Sequence, residues 1–131
     1  VKRREEMSKI NGCINLQKDG EIIYSNFPIK GIKTNDKIVY KENDINVTIL
    51  LDNNKIEMKR RTGDYIIELM FLDGKATSGN YHLIEYKNSI NLNIETLSSS
   101  NQDNKIILDY NLSMAEEFIG HFTFSLEFEV K

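Results

Sequence analysis

Residues 37–71 read KIVYKENDINVTILLDNNKIEMKRRTGDYIIELMF, and the way this stretch folds back on itself decides the architecture. Its apolar residues alternate with polar ones at the strand period of two. Asn43-Asp44, Asn53-Asn54 and Thr62-Gly63 interrupt the alternation as candidate tight turns. Asn, Asp and Gly accept the positive φ that such turns require, and Thr62 is the weak member of the set.

Counting outward from each turn sets the pairings. Tyr40 faces Val47 and Ile38 faces Ile49. Across the second turn Leu51 faces Ile56, Ile49 faces Met58 and Val47 faces Arg60. Across the third Arg60 faces Tyr65, Met58 faces Ile67, and Ile56 faces Leu69. One face of the meander is then apolar throughout except at Arg60. A slip of one residue at any turn sends a whole strand's apolar set to the wrong side, so the agreement of three separate turns is a strong constraint.

The same counting sorts the cations of Met58–Gly63. Lys59 and Arg61 point to solvent, with Arg61 opposite Asp64 and Lys59 diagonal to Glu68; exposed cross-strand pairs of this kind contribute less than ~1 kcal/mol each. Arg60 points inward, in a terminal row with Tyr40, Val47 and Tyr65, at the rim of the interior.

The remainder of the chain is also strand-like. INLNIET (90–96), KIILDYNLSM (105–114) and HFTFSLEFEV (121–130) alternate, and SKINGCINLQ (8–17) with EIIYSNF (21–27) forms a hairpin around Lys18-Asp19-Gly20. In GNYHLIEY (79–86), Gly79 marks a candidate bulge that leaves two choices open: Tyr81 and Leu83 inward, or His82, Ile84 and Tyr86. LSSSNQDN (97–104) reads as a polar hairpin loop, Met114–Phe118 as a loop, and Lys2–Met7 as at most one helical turn. The total is eight to ten sequential antiparallel strands with short connections in a single domain over 1–131. A sheet of this length closes or splits into layers, and sequential hairpins with one apolar face favour an all-β, closed, up-and-down barrel over a sandwich.

Composition limits the function. The net charge is −3, and the short basic runs Lys2–Arg4 and Lys59–Arg61 lie beside acids, which argues against nucleic acid as a partner. No apolar run follows the basic start, so no signal peptide is expected, and no segment has the length of a membrane span. Cys13 is the only cysteine, which excludes a disulfide framework and fits a reducing cytoplasm. It reads as a small half-buried strand residue rather than a nucleophile. His82, His121, Glu116-Glu117 and Asp73/Asp103 form no acid–base constellation and no metal-ligand spacing, so neither an enzyme nor a cofactor is expected.

The chain resembles the uncharacterised YwiB-like β-barrel proteins of bacteria, a family built on a lipocalin-like, calycin-type barrel. The residues that carry the resemblance are NDKIVYKEN (35–43), VTILLDNNKIEMKRRTG (47–63), MFLDG (70–74), SGNY (78–81), INLNIET (90–96), ILDYNL (107–112) and FSLEFEV (124–130). The sequence departs from the family pattern after SGNY, where EYKNSI (85–90) replaces an aromatic–glycine step. The resemblance implies a small cytoplasmic barrel and no particular activity, since fold alone does not give function.

Two functional expectations follow. The first is a binder of a small apolar or amphipathic ligand. Arg60 would take a carboxylate or phosphate, with Tyr40, Tyr65, Met58 and Tyr110 lining the site. Against it stands the bland alternative that Arg60 simply closes the end of a filled barrel. The second is an interaction module, homodimeric in its sharper form, using outward-facing Leu50, Ile66 and Met70 unless the segment Glu5–Ile10 covers them.

Overall fold

Alternation carries the chain into ten strands. The computed structural model describes residues 6–131. They are β1 Ser8–Lys18, β2 Glu21–Lys33, β3 Lys37–Glu42, β4 Ile45–Asp52, β5 Lys55–Arg61, β6 Tyr65–Leu72, β7 Ala76–Leu83, β8 Asn88–Gln102, β9 Lys105–Met114 and β10 Glu117–Val130. Each pairs antiparallel with its sequence neighbours, and β1 closes the sheet against β10 into a barrel. The helical turn expected over Lys2–Met7 and the Lys2–Arg4 run lie outside the described residues, except for Glu6 and Met7, which are not helical.

The first two turns of the meander pair as counted. Tyr40 faces Val47, Ile38 faces Ile49, Leu51 faces Ile56, and Val47 faces Arg60. The third does not. Arg60 faces Ile67, Met58 faces Leu69 and Ile56 faces Phe71, a shift of two residues along β6. The cause is Thr62. Its Oγ1 accepts from the Asp64 and Tyr65 amides at 3.1 and 3.2 Å, and its own amide donates to the Tyr65 carbonyl, which stabilises a four-residue loop. Arg61 therefore lies opposite Ile66 rather than Asp64, and Lys59 directly opposite Glu68. Because the slip is even, every side chain keeps its face.

The 97–104 segment also differs from expectation. It continues β8 to Gln102, and the turn is only Asp103-Asn104, both at positive φ. At Gly79 the β7–β8 register runs without a shift. What the glycine provides is close approach: a Cβ there would lie 2.2 Å from the Glu68 carbonyl oxygen, where the β6–β7 ladder ends. Tyr81 turns inward and packs on the core, and His82 turns out to Ser89.

The interior is packed along its length. Ile14, Ile38, Val47, Ile49, Ile106, Leu108 and Leu126 are completely buried. Cys13 is half-buried on β1. Among the described residues no helix is long and apolar enough to cross a membrane.

Candidate functional site

Strand parity on β3 extends the inward row Ile38, Tyr40 to one more residue, Glu42, the last before the Asn43-Asp44 turn. Its side chain is completely buried. A buried carboxylate needs a cation, and parity on β5 supplies Arg60 at the same end of the barrel. Arg60 Nη2 donates to Glu42 Oε1 at 3.1 Å, and Nη1 lies 3.0 Å from Oε2 without hydrogen-bond alignment. Burial alone lowers the guanidinium pKa, but the hydrogen bond and charge of Glu42 outweigh it, and the net shift is upward.

Tyr24, Tyr40 and Tyr110 lie near this pair, and further rings pack on two of them. Tyr65 stacks on Tyr81 with centroids 5.6 Å apart, Tyr110 stacks on Phe122 at 5.4 Å and meets Phe71 edge-on, and Tyr24 leans on Phe27 at 5.0 Å. Burial pushes Tyr110 up to about 12, and Arg60 pulls in the opposite direction. Burial also raises Tyr40, with the Glu42 charge adding to it. Burial and then the adjacent Glu42 carboxylate raise Tyr24.

Three buried polar atoms here and nearby have no hydrogen-bond partner: Tyr40 Oη, Glu42 Oε2, and the Oγ1 of Thr96, which pairs with Tyr110 in the β8–β9 ladder. An unpartnered buried polar group costs roughly 1–3 kcal/mol, so their concentration at one end of the barrel is the strongest chemical signal in the molecule.

The structure brings Arg60 and Tyr40 to one end, as counted from the sequence, with Ile67 rather than Tyr65 opposite Arg60; Tyr110, counted only as inward-facing, lies near Arg60 as well. It places Met58, 4% exposed, within the packed core, where only displacement of core side chains would open it to a ligand. Sequence reading missed Glu42. The signal was present, since Glu42 continues the period-two row of Ile38 and Tyr40. Glu42 also changes the reading of Arg60, whose guanidinium already has a carboxylate.

The wall beside the pair is incomplete. β2 pairs with β3 only over Gly31–Lys33. Below that, Glu21–Lys30 is held on its β1 side alone. At Gly31 the strands approach so closely that a Cβ would lie 2.3 Å from the Val39 carbonyl oxygen. The next register position would set Lys30 against Lys41, two exposed lysines, and like charges directly opposite one another disfavour pairing. Pro28, the register shifts around Ser25 and Ile23, and positive φ at Asn26 make this edge irregular.

Other places carry less. An open cleft of about 950 Å³ lies at the opposite end, rimmed by Asn53, Asn54, Asp73, Asn101 and Asp103, all exposed and solvated. On the outer wall His121 Nε2 contacts Asp109 Oδ1, but the Thr123 hydroxyl donates to Asp109 rather than to the imidazole, so no hydroxyl is activated there. No cluster of three metal-ligating side chains occurs among the described residues. Leu50 and Met70 flank Glu57 in one outward row, but Ile66 lies four residues from Met70 along β6, with Glu68 between. From Ser8 onward the N-terminal segment is a wall strand between β10 and β2, so it does not cover that row.

A family model described as a domain of unknown function, DUF1934, matches residues 9–126. The chain belongs to this family. Among solved structures, the crystal structure of the ywiB protein from Bacillus subtilis is similar, with a TM-score of 0.66 at 15% identity, covering 95% of this chain and 93% of that one. At that identity the likeness speaks for the DUF1934 barrel and not for activity. No curated protein matches the chain.

Proposed function

We propose that this DUF1934 barrel binds a small amphipathic molecule at the Arg60 end and performs no chemistry on it. The observation that carries the reading is the Glu42–Arg60 pair, its carboxylate buried among aromatic rings, with Tyr40 Oη and Glu42 Oε2 lacking a hydrogen-bond partner, although Oε2 is ion-paired to Arg60 Nη1. Buried polar groups among aromatic rings are the usual composition of a small-molecule site. The packed core supports a ligand held near the mouth, with its apolar part on Tyr24, Phe27, Tyr65 and Tyr81 rather than on Met58.

Native mass spectrometry of freshly purified protein, followed by the same sample denatured, tests this. A reproducible extra mass that leaves on denaturation is expected, with weaker retention in Tyr40→Phe. A bare mass that stays bare across a panel of small amphipaths overturns the reading. If that bare species is a dimer, an interaction role takes its place.

A further inference from the structure

Resting on that reading, we infer that the ligand's polar end is uncharged, offering both a hydrogen-bond donor and an acceptor, and that it reaches Tyr40 and Glu42 sideways through the gap between β2 and β3.

The charge argument starts from Glu42. Its carboxylate is completely buried, and Arg60 already serves as its counter-ion. An anionic head group drawn to Arg60 must either share the guanidinium with a carboxylate at contact distance or displace it. Displacement leaves Glu42 charged, buried and alone, which is the costliest arrangement for an ion pair. A neutral amide, lactam or hydroxyl meets neither obstacle. Its donor answers Glu42 Oε2, which can only accept, and its acceptor answers the Tyr40 hydroxyl, which can donate.

The route follows from backbone pairing. Tyr40 and Glu42 are 3% and 0% exposed, so nothing reaches them unless a covering element moves. The ladders on the other side of β3 run without interruption through Glu42–Ile45, and those of β4 and β5 through Asn46–Arg61. The β2 segment Glu21–Lys30 is paired on one side only, is bulged twice, and carries Tyr24 and Phe27 toward the pair. A segment with one ladder opens at lower free energy than one with two. The Lys30–Lys41 opposition keeps that second ladder from forming.

Two measurements on the full chain test the inference. The first titrates 15N-labelled protein with hexanamide and with hexanoate, which share a tail and differ in head charge. Hexanamide is expected to perturb the amides of residues 21–42 and Arg60, with a dissociation constant at least tenfold below that of hexanoate. Tyr40→Phe should weaken hexanamide at least threefold. Tighter binding of hexanoate overturns the uncharged head while leaving a site at this end. Absence of perturbation at Tyr40, Glu42 and Arg60 with both compounds overturns the site as well.

The second measures hydrogen exchange over residues 21–30 and needs no ligand. Lys41→Glu and Lys30→Glu each turn the repulsion into attraction, and each should slow exchange there at least fivefold by extending the ladder. The double variant restores a like-charge pair and should restore fast exchange. Single variants that leave exchange unchanged, or a double variant as slow as the singles, overturn entry through this gap whatever the titrations show.

Discussion

Arg60 and Glu42 form an ion pair in which only the arginine reaches water: its side chain is 19% exposed against 1% for the glutamate. The two halves are therefore unequal. Removing Glu42 leaves a guanidinium that can turn outward to solvent, whereas removing Arg60 leaves a carboxylate with no escape. Arg60→Met is expected to lose about 3 kcal/mol of unfolding free energy, the scale for orphaning a buried charge. Glu42→Gln should lose about 1 kcal/mol, the scale of one hydrogen bond. Urea denaturation of both variants at pH 7 checks the order. Equal losses would mean that the pair is solvated, contrary to the burial of Glu42.

Tyr40 separates stability from binding. Its hydroxyl is buried and unpartnered, so Tyr40→Phe removes a desolvated polar atom without breaking a bond. Unfolding free energy should stay the same or rise by up to about 1 kcal/mol, while retention of a ligand that uses the hydroxyl falls. A loss of more than about 1 kcal/mol would show that the hydroxyl is hydrogen-bonded in solution.

The inwardness of Arg60 is legible because the Asn53-Asn54 turn, which sets the face of β5, pairs as counted. The Thr62 loop shifts β6 by two residues, an even slip that leaves Ile67 and Leu69 on the same face as Arg60 and Met58. A count of apolar positions does not reveal that loop, because it depends on a hydroxyl accepting from two amides. Glu42 is hard to read from the sequence for a different reason. A charged residue beside an Asn-Asp turn reads as exposed, and only the ion pair makes its burial tolerable. The Ser98–Asn101 run lacks alternation and so lacks the signal from which strands are read, although β9 holds it as strand through backbone pairing.

Alkaline pH should destabilise the fold through the buried tyrosines. Tyr110 is pushed up to about 12 by burial, and Tyr40 is raised as well, whereas an unfolded tyrosine ionises near 10. The native pKa values are the higher ones, so the native state keeps protons that the unfolded state releases. Their contribution is fully present below about pH 10 and is lost as pH rises toward the native values. Over that window each tyrosine removes up to ~1.4 kcal/mol per pH unit. Urea midpoints at pH 8, 9 and 11 should be level between the first two and fall at the third. In Tyr110→Phe the fall should be shallower, and an identical slope would show that this hydroxyl titrates freely.

The β9–β10 connection holds the last prediction. Met114 pairs with Glu117, leaving Ala115 and Glu116 as a two-residue turn at φ +49° and +68°. This is the backbone of the Asp103-Asn104 turn, also positive at both residues, but built from side chains poorly suited to it. Left-handed backbone costs most L-residues roughly 1–2 kcal/mol each, and Asn and Gly much less. Ala115→Asn with Glu116→Gly should therefore raise the unfolding free energy by about 1–2 kcal/mol, after the added flexibility of glycine in the unfolded chain has reduced the gain. Asn104→Ala, the converse change in the well-suited turn, should lower it by about 1 kcal/mol. Urea denaturation of the two variants beside the parent decides the matter. A gain at 115–116 with a loss at 104 places the effect in the turn backbone, and changes of the same sign in both would refute it.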